Sequence, residues 1–288
     1  MSASPRYGTV AVVGAGTMGA GIAQVCAAAG SEVRLTDATQ EFLDRGLSGI
    51  TAFLDKGVAR GKTSAEDREA TLSRLRGELD LAAAVDGAEL VIEAVPEDLA
   101  LKVELFGRVA AACPADAVLA TNTSSLAVGR IFADLAAPER CLGMHFFNPP
   151  PLMPLLEIVK TDSTDGEVLA AAVAYARELG KEPIVVKDSP GFASSRLGVA
   201  LGLEAIRMVE EDVAAPEDID KAMELGYRHP MGPLKLTDLV GLDVRMAIAD
   251  YLRGALDNPA FEVPALMREM VKDGRLGKKA GRGFYDWS

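Results

Sequence analysis

The stretch TVAVVGAGTMGAGIAQVCAAAGSEVRLTD, residues 9–37, narrows the choice of fold more than anything else in the chain. Thr9–Gly16 reads as a buried strand running into a glycine turn. Met18–Gly30 has helical spacing and closes on Gly30, a natural C-terminal cap. Glu32–Asp37 is a second strand, so the three pieces form a βαβ unit with parallel strands. Gly14, Gly16 and Gly19 fall in the pattern G-x-G-x-x-G at the junction of strand and helix, and Asp37 closes the next strand. In that context the pattern holds a dinucleotide: Gly14 permits the turn, Gly16 lets the backbone approach the pyrophosphate, and Gly19 allows close packing. The turn Gly14, Ala15, Gly16, Thr17, Met18 and Gly19 is therefore assigned to the cofactor. Asp37 is suited to the adenosine ribose hydroxyls and would repel a 2′-phosphate. The following ATQE offers no arginine to hold one, so NAD is expected rather than NADP. A glycine-rich turn with no ligand is the competing reading.

Strand-like runs alternate with helical ones through Ala88–Val95, Ala117–Ser124, Cys141–Phe147, Leu155–Lys160 and Pro183–Asp188. After Asp188 the strand signal stops and long helical patterns take over, starting with one that spans residues 189–214. Pro216 and Gly226 bracket a shorter helix. The expected fold is α/β: a Rossmann-type doubly wound sheet over residues 1–187 and an all-helical domain over 188–288. Residues 38–79 read as mostly helical and charged, with Leu54–Gly77 as an exposed excursion.

Composition excludes several classes. Hydrophobic residues make up 49% and charged ones 25% of the 288, an ordinary balance for a water-soluble globular protein. No apolar run reaches the ~18 residues that span a bilayer. The first residues lack a basic segment followed by an apolar one, so no secretion signal is expected. Cys26, Cys113 and Cys141 read as reduced, buried thiols, which suits the cytoplasm. A net charge of −12 argues against nucleic acid as a partner and poses a difficulty for any anionic ligand. No metal site is read.

Only two histidines occur in the chain. His145 lies in GMHFFNPPPLMPLLEI, between two strand-like runs split by a proline-rich loop. Folding those runs about Pro151 puts positions 145 and 157 opposite each other, since both lie six residues from the fold. Glu157 would then bond one nitrogen of the His145 ring, fix its tautomer and stabilise the imidazolium, leaving the other nitrogen to take a proton. A base beside a nicotinamide suits oxidation of an alcohol. TNTSS adds hydroxyls and an amide at the carboxyl end of a strand, where such sheets bind ligands. One of Ser124 and Ser125 is expected to cap the helix beginning at LAVGRI. Asn148 is either a site residue or a turn residue ahead of Pro149. His229 reads as structural.

Taken together, VVGAGTMGAGIA, EAVPED, TNTSSL, MHFFNPPPLMPLLEI, KDSPGF and GKKAGRGFYDW resemble the 3-hydroxyacyl-CoA dehydrogenases, above all the bacterial short-chain 3-hydroxybutyryl-CoA type, over nearly the whole chain. The resemblance implies a catalytic dyad of His145 and Glu157, with Ser124 on the 3-oxygen of the substrate and Asn148 positioning cofactor and substrate. It implies NAD contacts from Glu97, Lys102 and Lys279. Where the family has asparagine before the arginine that follows PGF, this chain has Ser195, which is retained as a site residue. An acyl-CoA thioester is the implied substrate, its CoA tail received by the helical excursion, where Lys56, Arg60 and Lys62 form a cationic cluster. The implied assembly is a homodimer through the helical domain. A related dehydrogenase acting on a dicarboxyl 3-hydroxyacyl-CoA or a free hydroxy acid, and a non-catalytic NAD(H)-binding protein, are the alternatives.

Overall fold

Eight runs rich in valine, leucine and isoleucine pair into one sheet in the computed structural model, which describes residues 5–287. The strands are β1 (Thr9–Val13), β2 (Glu32–Thr36), β3 (Leu75–Gly77), β4 (Leu90–Glu93), β5 (Val118–Thr121), β6 (Cys141–Phe146), β7 (Leu155–Lys160) and β8 (Glu182–Lys187). Their order across the sheet is β3-β2-β1-β4-β5-β6-β7-β8. Every neighbouring pair is parallel except β6 and β7. Helices between the strands cover the sheet: α1 (Thr17–Ala28), α2 (Gln40–Ala59), α3 (Ala65–Ser73), α4 (Leu81–Val85), α5 (Leu99–Ala112), α6 (Val128–Ile131) and α7 (Gly166–Glu178). The central strands are buried along nearly their whole length, as expected where a parallel sheet is covered on both faces.

Since β1, β4, β5 and β6 run parallel, their carboxyl ends share one edge of the sheet. That edge receives the Gly14 turn, the loop to Glu97, the loop to Ser125 and His145. β4 stops at Glu93 and β5 at Thr121, short of the expected Val95 and Ser124. The chain there leaves the ladder to form the loops that carry polar side chains.

The region 38–79 is mostly helical, and Leu54–Gly77 largely exposed, as expected; two features were not foreseen. α2 is amphipathic, with Leu43, Gly46, Ile50 and Leu54 buried along one face, and it packs on α1 as part of the core layer. The Gly46 Cα lies so near the turn that an added Cβ would stand 2.6 Å from the Ala15 carbonyl oxygen. The excursion also ends in β3, a three-residue strand paired with β2. It escapes the sequence pattern because an edge strand of LRG carries no alternation long enough to read.

The chain divides after Asp188 into two compact units. The second contains α8 (Ser194–Glu210), α9 (Pro216–Lys221), α10 (Pro233–Val240), α11 (Leu242–Leu256) and α12 (Ala265–Lys272) around a core of Val199, Leu203, Ile206, Leu234, Leu252 and Met267. The long helical pattern begins later than expected: Gly191 and Phe192 adopt positive φ in a turn, and α8 starts at Ser194. Gly226 closes a π-helical turn that continues α9, instead of lying beyond the helix. The GRGFYDW segment is ordered by Asp238, whose carboxylate accepts from the Phe284 and Tyr285 amides and the Trp287 indole.

Candidate active site

The glycine turn follows from sterics. Gly14 has φ +105°, and a Cβ there would meet the Ala94 carbonyl oxygen at 2.7 Å. A Cβ on Gly19 would lie 1.7 Å from the Gly14 carbonyl oxygen, so helix and turn can approach only over hydrogen. Gly16 differs: nothing lies within 4 Å of its Cβ position. The space beside it is open to a ligand. Gly16 is the N-cap of α1 and supplies no side-chain acceptor, so the first amides of the helix point outward unsatisfied by any cap. That arrangement binds an anion. Asp37 braces the turn: its carboxylate accepts from Ala15 N at 2.6 Å and Ala38 N at 2.7 Å. Each oxygen keeps a further lone pair for a ribose hydroxyl. A bound dinucleotide fits these residues.

Beyond the turn lies a groove of about 410 Å³ lined by Gly16, Thr17, Gly21, Arg45, Phe53 and Pro150, among others. Gly21 of α1 is packed on the proline loop; a Cβ there would stand 2.7 Å from Pro150 Cδ. Lys56, Arg60 and Lys62 lie exposed at the far end of α2. Among the described residues none of the three forms an ion pair.

At the ends of β4 and β5 a polar network replaces apolar packing. Glu93 is fully buried: Oε1 accepts from Lys102 Nζ at 2.5 Å and Val95 N at 2.7 Å, and Oε2 accepts from Thr121 Oγ1 at 2.6 Å. Lys102 is 1% exposed, so it is no solvated helix residue. Its ammonium also reaches Glu97 Oε2 at 3.6 Å. Glu97 Oε1 accepts from Thr123 Oγ1, Ser124 N, Ser125 N and Ser125 Oγ, between 2.6 and 3.1 Å. Burial works against charge on Glu97. The hydrogen bond from Thr123, the Lys102 charge and the two amides outweigh it and hold the carboxyl below the ordinary range.

Neither serine caps the following helix, contrary to expectation. Thr123 Oγ1 accepts from Leu126 N, and the first amides of α6, Val128 and Gly129, donate to Asp188, sixty residues on. Ser125 is spent on Glu97, while Ser124 is half-buried with only its amide engaged by Glu97.

β6 and β7 pair with His145 directly opposite Glu157. His145 Nδ1 lies 2.7 Å from Glu157 Oε2; Glu157 is 0% and His145 4% exposed. The His145 ring packs on Phe147 with centroids 4.6 Å apart. Asn122 Oδ1 accepts from Phe146 N at 2.8 Å, tying the loop before Ser124 to the strand end beside His145. Asn148 is exposed in the loop that follows. Glu93 carried no signal in the sequence, while Asn122 and Thr123 fall within TNTSS but had no individual role assigned there. In the second unit, Ser195 is half-buried in the first turn of α8, and Lys279 pairs with Asp243 at 2.6 Å.

A sheet of this order, with an anion-binding glycine turn and a buried histidine–carboxylate pair along its carboxyl edge, is the framework of a dinucleotide-dependent dehydrogenase. Residues 9–189 match the family model for the NAD-binding domain of 3-hydroxyacyl-CoA dehydrogenase, and residues 191–287 match its C-terminal domain. The chain is 46% identical over 280 residues to 3-hydroxyadipyl-CoA dehydrogenase of Escherichia coli, covering 97% of this chain but only 59% of that protein. It is 44% identical to 3-hydroxybutyryl-CoA dehydrogenase of Mycobacterium tuberculosis, covering 96% and 98% of the two chains. The crystal structure of (S)-3-hydroxybutyryl-CoA dehydrogenase from Ralstonia eutropha superposes with a TM-score of 0.94 at 38% identity, covering 98% of this chain and 99% of that one. The chain belongs to the 3-hydroxyacyl-CoA dehydrogenase family of NAD-binding oxidoreductases.

Proposed function

We propose that the protein catalyses the reversible oxidation of a short-chain (S)-3-hydroxyacyl-CoA, with 3-hydroxybutyryl-CoA as the leading substrate, to the 3-oxoacyl-CoA. The observation that carries this reading is the buried His145–Glu157 pair at the carboxyl edge of the sheet. His145 Nδ1 donates to Glu157, so Nε2 is the nitrogen that takes the hydroxyl proton. Glu157 stabilises the imidazolium that results. NAD, when bound, would supply the acceptor for the hydride from the carbinol carbon. The Gly14–Gly19 turn would hold its pyrophosphate and Asp37 its adenosine ribose, with Glu97, Lys102 and Lys279 as further contacts. Ser124 donates to the 3-oxygen as it becomes a carbonyl, and Asn148 orients substrate against cofactor. Ser195 takes the place of the family asparagine. Lys56, Arg60 and Lys62 receive the phosphates of the CoA tail.

A second substrate, a dicarboxyl 3-hydroxyacyl-CoA, is favoured by the 46% identity to the E. coli protein named for 3-hydroxyadipyl-CoA. A kcat/KM series over acetoacetyl-CoA, longer 3-oxoacyl-CoAs and a dicarboxyl analogue separates the two. His145→Gln should lower turnover by ~10²–10⁴-fold while NADH still binds. Full turnover in that variant would remove His145 from the mechanism. The helical unit exposes Leu197, Val213, Leu225 and Tyr227, which fits a homodimer. Light scattering that finds a monomer at micromolar concentration would exclude it. The free thiols of Cys26, Cys113 and Cys141 suit a cytoplasmic location.

A further inference from the structure

The loop NPPPLMP, residues 148–154, joins the strand of His145 to the strand of Glu157 and carries Asn148. Four of its seven residues are prolines and bring no N–H. Of the three remaining amides, Leu152 N and Met153 N both donate to the Pro149 carbonyl, at 2.9 and 3.1 Å. Neither of those two amides is left for the carbonyls of Pro150 and Met153. Pro150 is buried against α1, where water cannot substitute. A donor must come from elsewhere in the chain.

It comes from Lys181. Its Nζ lies 2.5 Å from the Pro150 carbonyl oxygen and 2.9 Å from that of Met153, and the residue is 7% exposed. Backbone geometry delivers it there. Just past the end of α7, Gly180 turns the chain at φ +70°, Lys181 N donates back to Ala176 O, and the chain then enters β8. The next residue completes the set, as Glu182 N donates to the Pro154 carbonyl at 2.8 Å. The geometry points to Lys181 as a positioning residue that clamps the proline loop and thereby fixes Asn148 and the spacing of the His145 and Glu157 strands. This inference rests on the dehydrogenase reading of that site. Burial holds the amine below the ordinary lysine range, yet a neutral amine still has two N–H donors, one for each carbonyl. The clamp works in either protonation state.

Two substitutions and one exchange measurement test it. Lys181→Met keeps the length of the side chain and removes every donor; Lys181→Arg keeps donors. With folded protein and acetoacetyl-CoA, Lys181→Met should lose about 10–100-fold in kcat, the loss expected when a catalytic loop shifts by about 1 Å. NADH affinity should stay within about threefold, because the Gly14 turn and Asp37 are untouched. Lys181→Arg should recover most of the lost kcat. Hydrogen exchange at Leu152 and Met153 should be slow in the wild type and faster in Lys181→Met. A folded Lys181→Met with wild-type kcat, or an arginine variant no better than the methionine one, overturns the clamp. If neither variant folds, rapid exchange at Leu152 and Met153 in the wild type overturns it and slow exchange supports it. Failure of the wild type to turn over any 3-oxoacyl-CoA would instead sink the functional reading, and the exchange data would still decide the clamp.

Discussion

Glu157→Gln changes the charge beside His145 while preserving shape. The carboxylate is fully buried and lies 2.7 Å from Nδ1, so water does not enter to compensate. A carboxamide oxygen can accept the same Nδ1–H bond and keep the tautomer that leaves Nε2 as the base. What disappears is the attraction between carboxylate and imidazolium once the substrate proton has arrived. The charge centres are then about 4 Å apart, worth about 4 kcal/mol at an effective dielectric of ~20. With roughly half of the charge developed in the transition state, the loss is about 2 kcal/mol, or about thirtyfold in kcat. A carboxamide turned the other way would donate to Nδ1, place the proton on Nε2 and abolish the base, so the alternative orientation only enlarges the loss. The assay is oxidation of 3-hydroxybutyryl-CoA at saturating NAD, with NADH affinity measured separately by fluorescence. A folded Glu157→Gln protein whose kcat lies within about threefold of wild type would refute the electrostatic argument, because no geometry of the pair at this distance predicts so small an effect.

Two glycines of one turn should separate folding from binding. Gly16→Ala has open space and ordinary φ, so denaturation midpoints should hold while NADH affinity falls by an order of magnitude or more; unchanged affinity would place the pyrophosphate elsewhere. Gly19→Ala drives a methyl into the Gly14 carbonyl and should lose about 3 kcal/mol or more of stability, read from urea denaturation. Glu97 is held below its unfolded value of 4.5, so its ionisation contributes stability above that pH, and the contribution is lost as pH falls through the lower folded value. The stability gap between wild type and Glu97→Gln should therefore be constant above pH 4.5 and shrink below it; a gap that grows in acid would contradict the direction.

How much of this could be read in the sequence depended on whether the partners were close in the chain or shared a symmetric spacing. The glycine turn is local, and each glycine answers a clash within the same βαβ unit. His145 and Glu157 are twelve residues apart, yet equal distances from Pro151 make them partners in an antiparallel pair. The network around Ser124 offered no such signal. Glu93 sits in LVIE, which reads as plain strand, and only the pairing of β4 with β5 brings it to Thr121. Lys102 lies on α5 and Glu97 in the loop just before it, a charged stretch in which the burial of Lys102 cannot be judged without knowing that Glu93 waits beneath it. The cap of α6 arrives from Asp188, across four intervening elements, so the local expectation of a serine cap had no means of seeing its competitor. Lys181 was invisible for the same reason, although the proline count of the loop already demanded an outside donor. Residue types were legible, then, and long-range polar partners were not, because hydrogen-bond accounting closes only in three dimensions.

The charge problem has a solution that experiment can sign. A net charge of −12 should repel a CoA thioester if the whole field acts on it. At physiological ionic strength, however, exposed charges farther than about 8 Å apart are screened, so the local surface decides. Lys56, Arg60 and Lys62 cluster at the end of α2, and the groove floored by Gly16 and Gly21 begins beside the same helix. If the cluster receives the CoA phosphates, raising salt from about 0.02 to about 0.5 M should lower kcat/KM for the acyl-CoA. If the global charge governs the encounter, the same titration should raise it. Replacing Lys56 and Lys62 by glutamine should flatten the falling slope and leave turnover at saturating substrate intact, since neither side chain approaches His145 in sequence or shares its strand. A rising slope in the wild type would move the CoA tail off α2. It would leave the dehydrogenase chemistry standing, because the His145–Glu157 pair and the glycine turn do not depend on where the tail lies.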